Sequence, residues 1–155
     1  MDDLRQLNRS IAKHWLGRLD ATQEIYLDHV SVCLGQLAHS AAELAQVLGS
    51  SNDNPLPVAR LNRRYLRFAR LASKEVAAGR PEMLIKLGIN LEQAELLRNL
   101  TDEEVDRLAF GWNGPLVQFA GQVFKRGAAL QERAAMHHAT ALVATRLPRA
   151  SGRRS

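Results

Sequence analysis

The sequence has a single cysteine, Cys33, among its 155 residues. One thiol cannot form a disulfide within the chain, and it cannot supply the two or more thiolates that many structural zinc sites need. Aromatic residues make up only 5% of the chain, which disfavours an all-β sandwich and favours helices packed through alanine and leucine. The sequence also lacks the apolar run of a membrane span or signal peptide. These absences predict a cytoplasmic, all-α protein with no membrane partner.

Catalytic motifs are missing as well. The sequence contains no HExxH, GxSxG, Walker or Rossmann glycine pattern. His29 and His39 are predicted to lie on one helix about 15 Å apart, too far to share an ion. Cys33 is predicted on the apolar stripe of that helix, where a buried thiol is unreactive. We therefore expect no enzyme activity, no cofactor, no small-molecule substrate and no metal site, including at the remaining histidines, His14, His137 and His138.

The net charge of +5 is divided unevenly along the chain. Residues 56–80 and residues 111–155 each carry seven basic residues and one acidic residue, whereas residues 1–55 carry four and seven, and residues 81–110 carry three and seven. The basic charge therefore lies in two blocks on either side of an acidic segment. An excess of this kind favours an anionic partner, and it places the contact on the helix after residue 56 and on the C-terminal part.

The first third of the chain predicts a helical hairpin, residues 1–48, with helices over about 3–16 and 21–48. Asp20 can cap the second helix, whose apolar residues recur with helical spacing. A linker at 49–57 follows, because it is rich in turn formers and contains two prolines. The hairpin must bury its apolar stripe on the rest of the chain or on a partner. That stripe consists of Tyr26, Val30, Cys33, Leu37, Leu44 and Leu48.

The remainder predicts a second helical unit, residues 58–147. A helix over about 58–78 ends at Gly79 and Pro81, and three short helices follow within residues 81–110. The signals for these short helices are a glycine after the first and capping boxes at the starts of the next two. They are Gly88, Asn90 with Gln93, and Thr101 with Glu104. Residues 115–147 predict a last helix, and the basic tail 148–155 has too few apolar groups to fold.

The helix over 58–78 carries a stripe of six basic side chains within an arc of about 120°. Like charges at this spacing destabilise a helix unless a partner compensates them, and only Glu75 offsets them within residues 56–80. Arginine forks suit DNA phosphates, but an acidic protein surface, such as residues 81–110 of a neighbouring subunit, would use them equally. The candidate residues are Arg60, Arg63, Arg64, Arg67, Arg70 and Lys74.

A resemblance appears between Arg80 and Phe119, which read RPEMLIKLGINLEQAELLRNLTDEEVDRLAFGWNGPLVQF. A methionine-bearing helix precedes the LGIN turn at 87–90, a Leu-Thr junction lies at 100–101, and a helix ends in Leu-Ala at 108–109. Residues 61–69 (LNRRYLRFA) and residues 138–147 also resemble segments of the same family, in the same order along the chain. Over residues 61–147 the chain thereby resembles the flagellar transcriptional regulator FlhD family.

This resemblance implies an all-helical regulator subunit without enzymatic activity. Members of the family dimerise and assemble with a zinc-binding FlhC-type subunit, and the complex binds promoter DNA to activate flagellar genes or the transfer genes of conjugative elements. The chain departs from the family pattern in its first 55 residues, in a shorter interval between Phe119 and His138, and in a family cysteine that is replaced near Val117. The last departure argues against a covalent dimer.

Two functional hypotheses follow. In the first, the chain is a transcriptional activator subunit whose apolar residues build a homodimer or partner interface while the basic stripe contacts DNA phosphates. In the second, it is a protein-interaction adaptor, chaperone or anti-activator without direct DNA contact. The candidate interface residues are Met83, Leu84, Leu87, Ile89, Leu96, Leu97, Leu108 and Phe119.

Overall fold

The structure, a computed structural model, describes residues 2–48 and 54–146. Within these ranges the chain forms eight α-helices and one two-stranded antiparallel sheet, so the predicted all-α fold class is confirmed. The helices are α1 (Asp2–Leu16), α2 (Ala21–His29), α3 (Ala41–Val47), α4 (Leu56–Ala77), α5 (Glu82–Leu87), α6 (Leu91–Arg98), α7 (Asp102–Gly111) and α8 (Gly121–Arg146). The strands are β1 (Gly35–Gln36) and β2 (Gln118–Phe119).

Helix α4 is the centre of the molecule, since α1, α5, α6 and α7 all pack against it. Its apolar face is buried along its whole length, as the spacing of the apolar residues predicts. The opposite face carries the basic stripe. The buried apolar residues of α4 are Ala59, Leu61, Tyr65, Leu66, Ala69 and Ala72.

The predicted linker is shorter at its C-terminal end than expected. Residues 49–53 lie outside the described residues, but Leu56 and Pro57 already belong to the first turn of α4. A proline fits there because the first N–H groups of a helix have no partner within the helix. The prolines at 55 and 57 therefore start a helix as well as ending the segment before it.

The prediction of one helix over 21–48 is wrong. Helix α2 ends at His29, residues 30–40 contain no helix but include β1, and α3 begins only at Ala41. Two valines and Gly35 weaken the helix in this stretch. The side chain of Asn8 then fixes the extended backbone, because it donates to the Val32 carbonyl at 2.9 Å and accepts from the Leu34 N–H at 2.8 Å.

The N-terminal region packs on the rest of the chain. Leu4, Leu7 and Ile11 of α1 belong to the same buried cluster as Leu61 of α4 and Val117 beside β2. A second, smaller cluster joins Ala12, Leu27, Leu34 and Phe124, and so connects α1, α2 and α8. Of the two possibilities for the apolar stripe, the structure shows burial within the chain itself.

The predicted punctuation of the short helices is confirmed. Gly88 ends α5 with a φ of 69°, a left-handed conformation that glycine adopts at low cost. Capping boxes start α2, α6 and α7 at Asp20, Asn90 and Thr101. A further capping box at Ser40 and Glu43 starts α3. Its sequence pattern, Ser-x-x-Glu, lies within the range for which one continuous helix is predicted, so the prediction does not include this helix start.

The predicted helix over 115–147 starts later than expected. Residues 112–120 contain no helix, residues 118–119 form β2, and α8 begins at Gly121. The extended backbone is favoured because β2 pairs with β1 and because Ala120 donates a hydrogen bond to the Leu34 carbonyl at 2.8 Å. Residue 147 and the tail 148–155 lie outside the described residues. Within residues 2–48 and 54–146, no helix combines the length and the apolar character that a membrane crossing needs.

Candidate functional site

The basic stripe of α4 is divided between two neighbouring helices. Arg63 and Arg70 contact acidic residues of α7. Arg60, Arg64 and Arg67 line a groove between α4 and α1. Because successive residues on a helix are rotated by about 100°, the members of one stripe can point toward different neighbours. The six predicted residues therefore do not form one uniform surface.

On the α7 side, Arg70 has an internal structural role. Its Nη2 donates to Oδ1 of Asp102 at 2.7 Å, and its Nη1 donates to the Leu100 carbonyl at 3.2 Å. These contacts bury most of the side chain, which is 17% exposed. The hydrogen bond from Arg70 and its positive charge hold the pKa of Asp102 below its ordinary value. Arg70 therefore fastens α4 to the start of α7.

Arg63 also faces α7. Its Nε lies 2.9 Å from Oδ1 of Asp106, and its side chain is 32% exposed. The Nε–H does not point at that oxygen, so the contact is an ion pair and not a hydrogen bond. The guanidinium carbon lies 5.3 Å from the centre of the Phe110 ring, within the range of a cation–π contact. Two attractions from α7 thus compensate the charge of Arg63.

On the α1 side, an open groove of about 790 Å³ runs between α1 and α4. Helix α1 contributes polar and charged side chains, and α4 contributes both basic and apolar ones. We call this feature the α1–α4 groove. Its lining residues are Asp3, Gln6, Ser10, Lys13 and His14 from α1, and Pro57, Arg60, Leu61, Arg63, Arg64, Arg67, Phe68 and Leu71 from α4.

The α1–α4 groove has a strong excess of positive charge. Five lysine or arginine residues line it against one acidic residue, Asp3. Arg60 and Arg67 make no ion pair or hydrogen bond to any described residue, and Arg64 donates only to the neutral hydroxyl of Ser10, at 3.0 Å. These guanidinium groups are exposed. The groove can therefore attract an anion without first breaking an internal salt bridge.

Lys74, the last member of the predicted set, is exposed one turn beyond Arg70. It makes no ion pair or hydrogen bond among the described residues, and it does not line the groove. Its charge contributes slightly to the lowered pKa of Asp102. Lys74 lies beside the α7 side of the stripe but remains available to solvent.

The predicted interface residues are mostly part of the chain's own core. Leu87, Leu97 and Leu108 are fully buried, and Ile89 is nearly so. They cannot contact another chain unless the monomer opens, because α4 already covers them. The other four pack partly buried against the same core, and their role in an interface stays a prediction. They are Met83, Leu84, Leu96 and Phe119.

Cys33 is buried, but in the extended segment between α2 and β1 and not on a helix as predicted. Burial raises the pKa of its thiol to about 11, so it is protonated near neutral pH. His29 ends α2, whereas His39 lies beyond β1, where the centre of its ring is 4.3 Å from that of Trp112 and the two rings are tilted by 53°. Across the described residues, no group of three or more histidine, cysteine or acidic side chains is placed to hold a metal ion.

Buried amide side chains were missed by the sequence reasoning. Asn62 of α4 donates to the carbonyls of Ala109 and Gly114 and accepts from the N–H of Leu116 at 2.7 Å. Gln93 donates to the His39 carbonyl at 2.6 Å in addition to its capping role. The sequence does contain a signal for Asn62, because a polar amide on the apolar face of a strongly amphipathic helix needs buried hydrogen-bond partners. These amides fix residues 109–116 and the segment before α3 to the core.

No protein-family model, no curated protein and no solved structure matches the chain. The resemblance to the FlhD family therefore stays a prediction that depends on the residues quoted above.

Proposed function

We propose that this chain is a non-catalytic subunit of a DNA-binding transcriptional regulator. In this proposal Arg60, Arg64 and Arg67 contact DNA phosphates, with Lys13 of α1 adding charge from the other wall of the groove. As the resemblance to the FlhD family implies, the chain dimerises in the cytoplasm and assembles with a zinc-binding FlhC-like subunit. The complex then activates flagellar or conjugative transfer genes.

The observation that carries the proposal is the set of uncompensated cations on the α1–α4 groove. Arginine and lysine side chains that have no internal partner retain their full charge for an external anion. Those of the groove come from two helices and are exposed on one side of the molecule. Contacts of this kind position a protein on DNA without reading its sequence, so base readout would fall to the partner subunit.

The ion pairs within the basic stripe reduce the number of arginines that are available to contact DNA. Arg63 and Arg70 already bind Asp106 and Asp102. A phosphate would have to displace these carboxylates, which lowers the net gain from the contact. We therefore propose Arg60, Arg64 and Arg67 as the main phosphate ligands, with Lys74 as an outlying one.

The alternative function, a protein-interaction adaptor or anti-activator, is supported by a different property of the groove. Its wall of arginines lies next to apolar side chains, including Leu71, which is 59% exposed. Phosphates gain nothing from an apolar surface, whereas a protein partner does.

The test compares two triple variants of the full chain. The first, Arg60→Ala with Arg64→Ala and Arg67→Ala, removes three groove cations. The matched control, Arg9→Ala with Arg70→Ala and Arg107→Ala, removes three cations that are paired with carboxylates and do not line the groove. Both variants carry the same net charge, so any difference between them reports position. Circular dichroism verifies that each variant is folded.

Binding to a short DNA duplex is measured by fluorescence anisotropy between about 50 and 200 mM salt. We expect the groove variant to flatten the slope of log K against log salt by about 2 to 3, since each phosphate contact contributes about 0.9. The control should change that slope by less than about 1. An unchanged slope in the groove variant, or no binding by the unmodified chain at low salt, would overturn the proposal.

A further inference from the structure

We propose that the α1–α4 groove also binds an acidic amphipathic helix of a protein partner, which competes with DNA for Arg60, Arg64 and Arg67. The binding of the helix follows from the groove itself. Only the competition depends on the proposed function. The partner class is defined by its chemistry: a helix with leucine-like side chains along one face and carboxylates on both flanks of that face.

The apolar side chains that line the groove favour a protein partner. The apolar lining residues, which we call the floor, are Pro57, Leu61, Phe68 and Leu71; Leu61 is buried, whereas Leu71 is 59% exposed. On α4, Leu71 follows Arg67 by four residues and Arg64 by seven, so it lies on the same line of the helix surface as these arginines. An exposed leucine within a row of arginines contributes nothing to a phosphate contact. It does contribute to a surface that receives apolar side chains of another helix.

The positive charge of the groove favours an acidic partner. Arg63 is paired with Asp106, but the other four basic lining residues outnumber Asp3, so the groove repels a basic helix and attracts an acidic one. A partner carboxylate could accept both N–H groups of an arginine fork, and Arg60 and Arg67 have no internal ion pair that it would need to replace. Charge complementarity thus selects an acidic occupant, and the apolar floor requires that this occupant also has an apolar face.

The elongated shape of the groove suits a helical partner. Its long walls are two helices, and α1 has 15 residues, which corresponds to about 22 Å. A partner helix of about four turns has a similar length and presents apolar side chains at positions i, i+4, i+7 and i+11. Such a helix would place its leucines on the floor and its carboxylates beside the arginine walls.

The probe is a fluorescent designed peptide of about four turns with leucines at i, i+4, i+7 and i+11 and glutamates on the flanks. A scrambled peptide of the same composition spreads the leucines around the helix and serves as the control for charge. We expect the designed peptide to bind the full chain about tenfold more tightly than the scrambled one, because only the former buries its leucines on the floor.

The matched variants are Leu71→Ser in the groove and Leu130→Ser on α8. Both leucines are exposed, at 59% and 62%, so neither substitution creates a cavity in the core. Leu71→Ser should weaken the designed peptide about fivefold or more and leave the slope of DNA binding against salt unchanged. Leu130→Ser should change neither. Unlabelled duplex should displace the designed peptide from the unmodified chain.

The outcomes separate this inference from the proposed function. Equal binding of the designed and scrambled peptides would mean that the groove binds any polyanion, and it would overturn the inference. Unchanged binding of the designed peptide by the Leu71→Ser variant would overturn it as well. The DNA assay contains no peptide, so its failure would contradict the proposed function and the competition but not the docking of the helix. Peptide displacement by the duplex supports both proposals.

Discussion

The two sides of the basic stripe on α4 carry the same kind of side chain in different surroundings. On the α7 side, Arg70 lies against Asp102 and the Leu100 carbonyl. On the α1 side, Arg64 lies against the hydroxyl of Ser10, and Lys13 adds a further positive charge. The comparison shows that a cation on this helix becomes structural or available according to which helix lies opposite it.

Helix polarity accounts for this difference. The first turn of α7 is acidic, which favours the positive end of its dipole and also supplies Asp102 to Arg70. The last turn of α1 is basic for the corresponding reason, since it lies at the negative end of that helix. The charges that stabilise these two helix ends therefore neutralise Arg70 and add positive charge beside Arg64, while Arg63 is paired with Asp106 further along α7.

The largest expected effect concerns Asn62, which fastens the α7 side. Asn62→Ala leaves the Leu116 N–H without a partner and opens a small cavity, so we expect a loss of about 3 kcal/mol in the free energy of unfolding. Asn54→Ala is the matched control, because Asn54 bonds the same two carbonyls from a less buried position. It should lose about 1 kcal/mol. Urea unfolding followed by circular dichroism measures both, and equal losses would contradict the central role of Asn62.

A smaller effect should distinguish the arginines themselves. Arg63→Ala removes a partly exposed ion pair and a cation–π contact and should cost about 1 kcal/mol of stability. Arg60→Ala removes a charge without an internal partner and should change stability by less than about 0.5 kcal/mol in either direction. The same unfolding measurement applies. If Arg60→Ala proved the more destabilising substitution, the assignment of structural and available sides would be reversed.

The smallest effect is a titration. The pKa of Asp102 is lowered from 3.8, mainly by Arg70 and less by Arg67 and Lys74. A lowered folded pKa means that the contact stabilises the protein at neutral pH and that this contribution is lost as pH falls through that pKa. In an NMR titration of the carboxyl group, Arg70→Ala should raise the pKa most and Arg67→Ala less, with Arg60→Ala as the unaffected control. Equal shifts for Arg70→Ala and Arg67→Ala would remove the distinction between the two sides.

The elements that the sequence predicts well are those whose signals are local. The boundaries of α4, the turn at Gly88 and the capping boxes at Asn90 and Thr101 depend on residues within a few positions of each other. The basic stripe follows from helical spacing alone. All of these require only the chain's own periodicity and turn chemistry.

The features that were missed depend on distant partners. Residues 30–40 have apolar spacing that suits a helix, yet Asn8 and β2 supply hydrogen bonds that favour an extended backbone. The division of the stripe likewise depends on α1 and α7, whose positions relative to α4 are tertiary information. Four predicted interface residues, Leu87, Ile89, Leu97 and Leu108, are buried in the core, because an apolar face has the same residue spacing whether its own core or another chain covers it.

The pairing of β1 with β2 joins Gly35 to Phe119 and so sets an order for synthesis. While the nascent chain leaves the ribosome, the segment held by Asn8 has no strand to pair with until residue 119 has emerged. Long-range pairing of this kind slows folding relative to helical contacts that are close in sequence. The first third of the protein therefore cannot complete its native contacts until most of the polypeptide has been made.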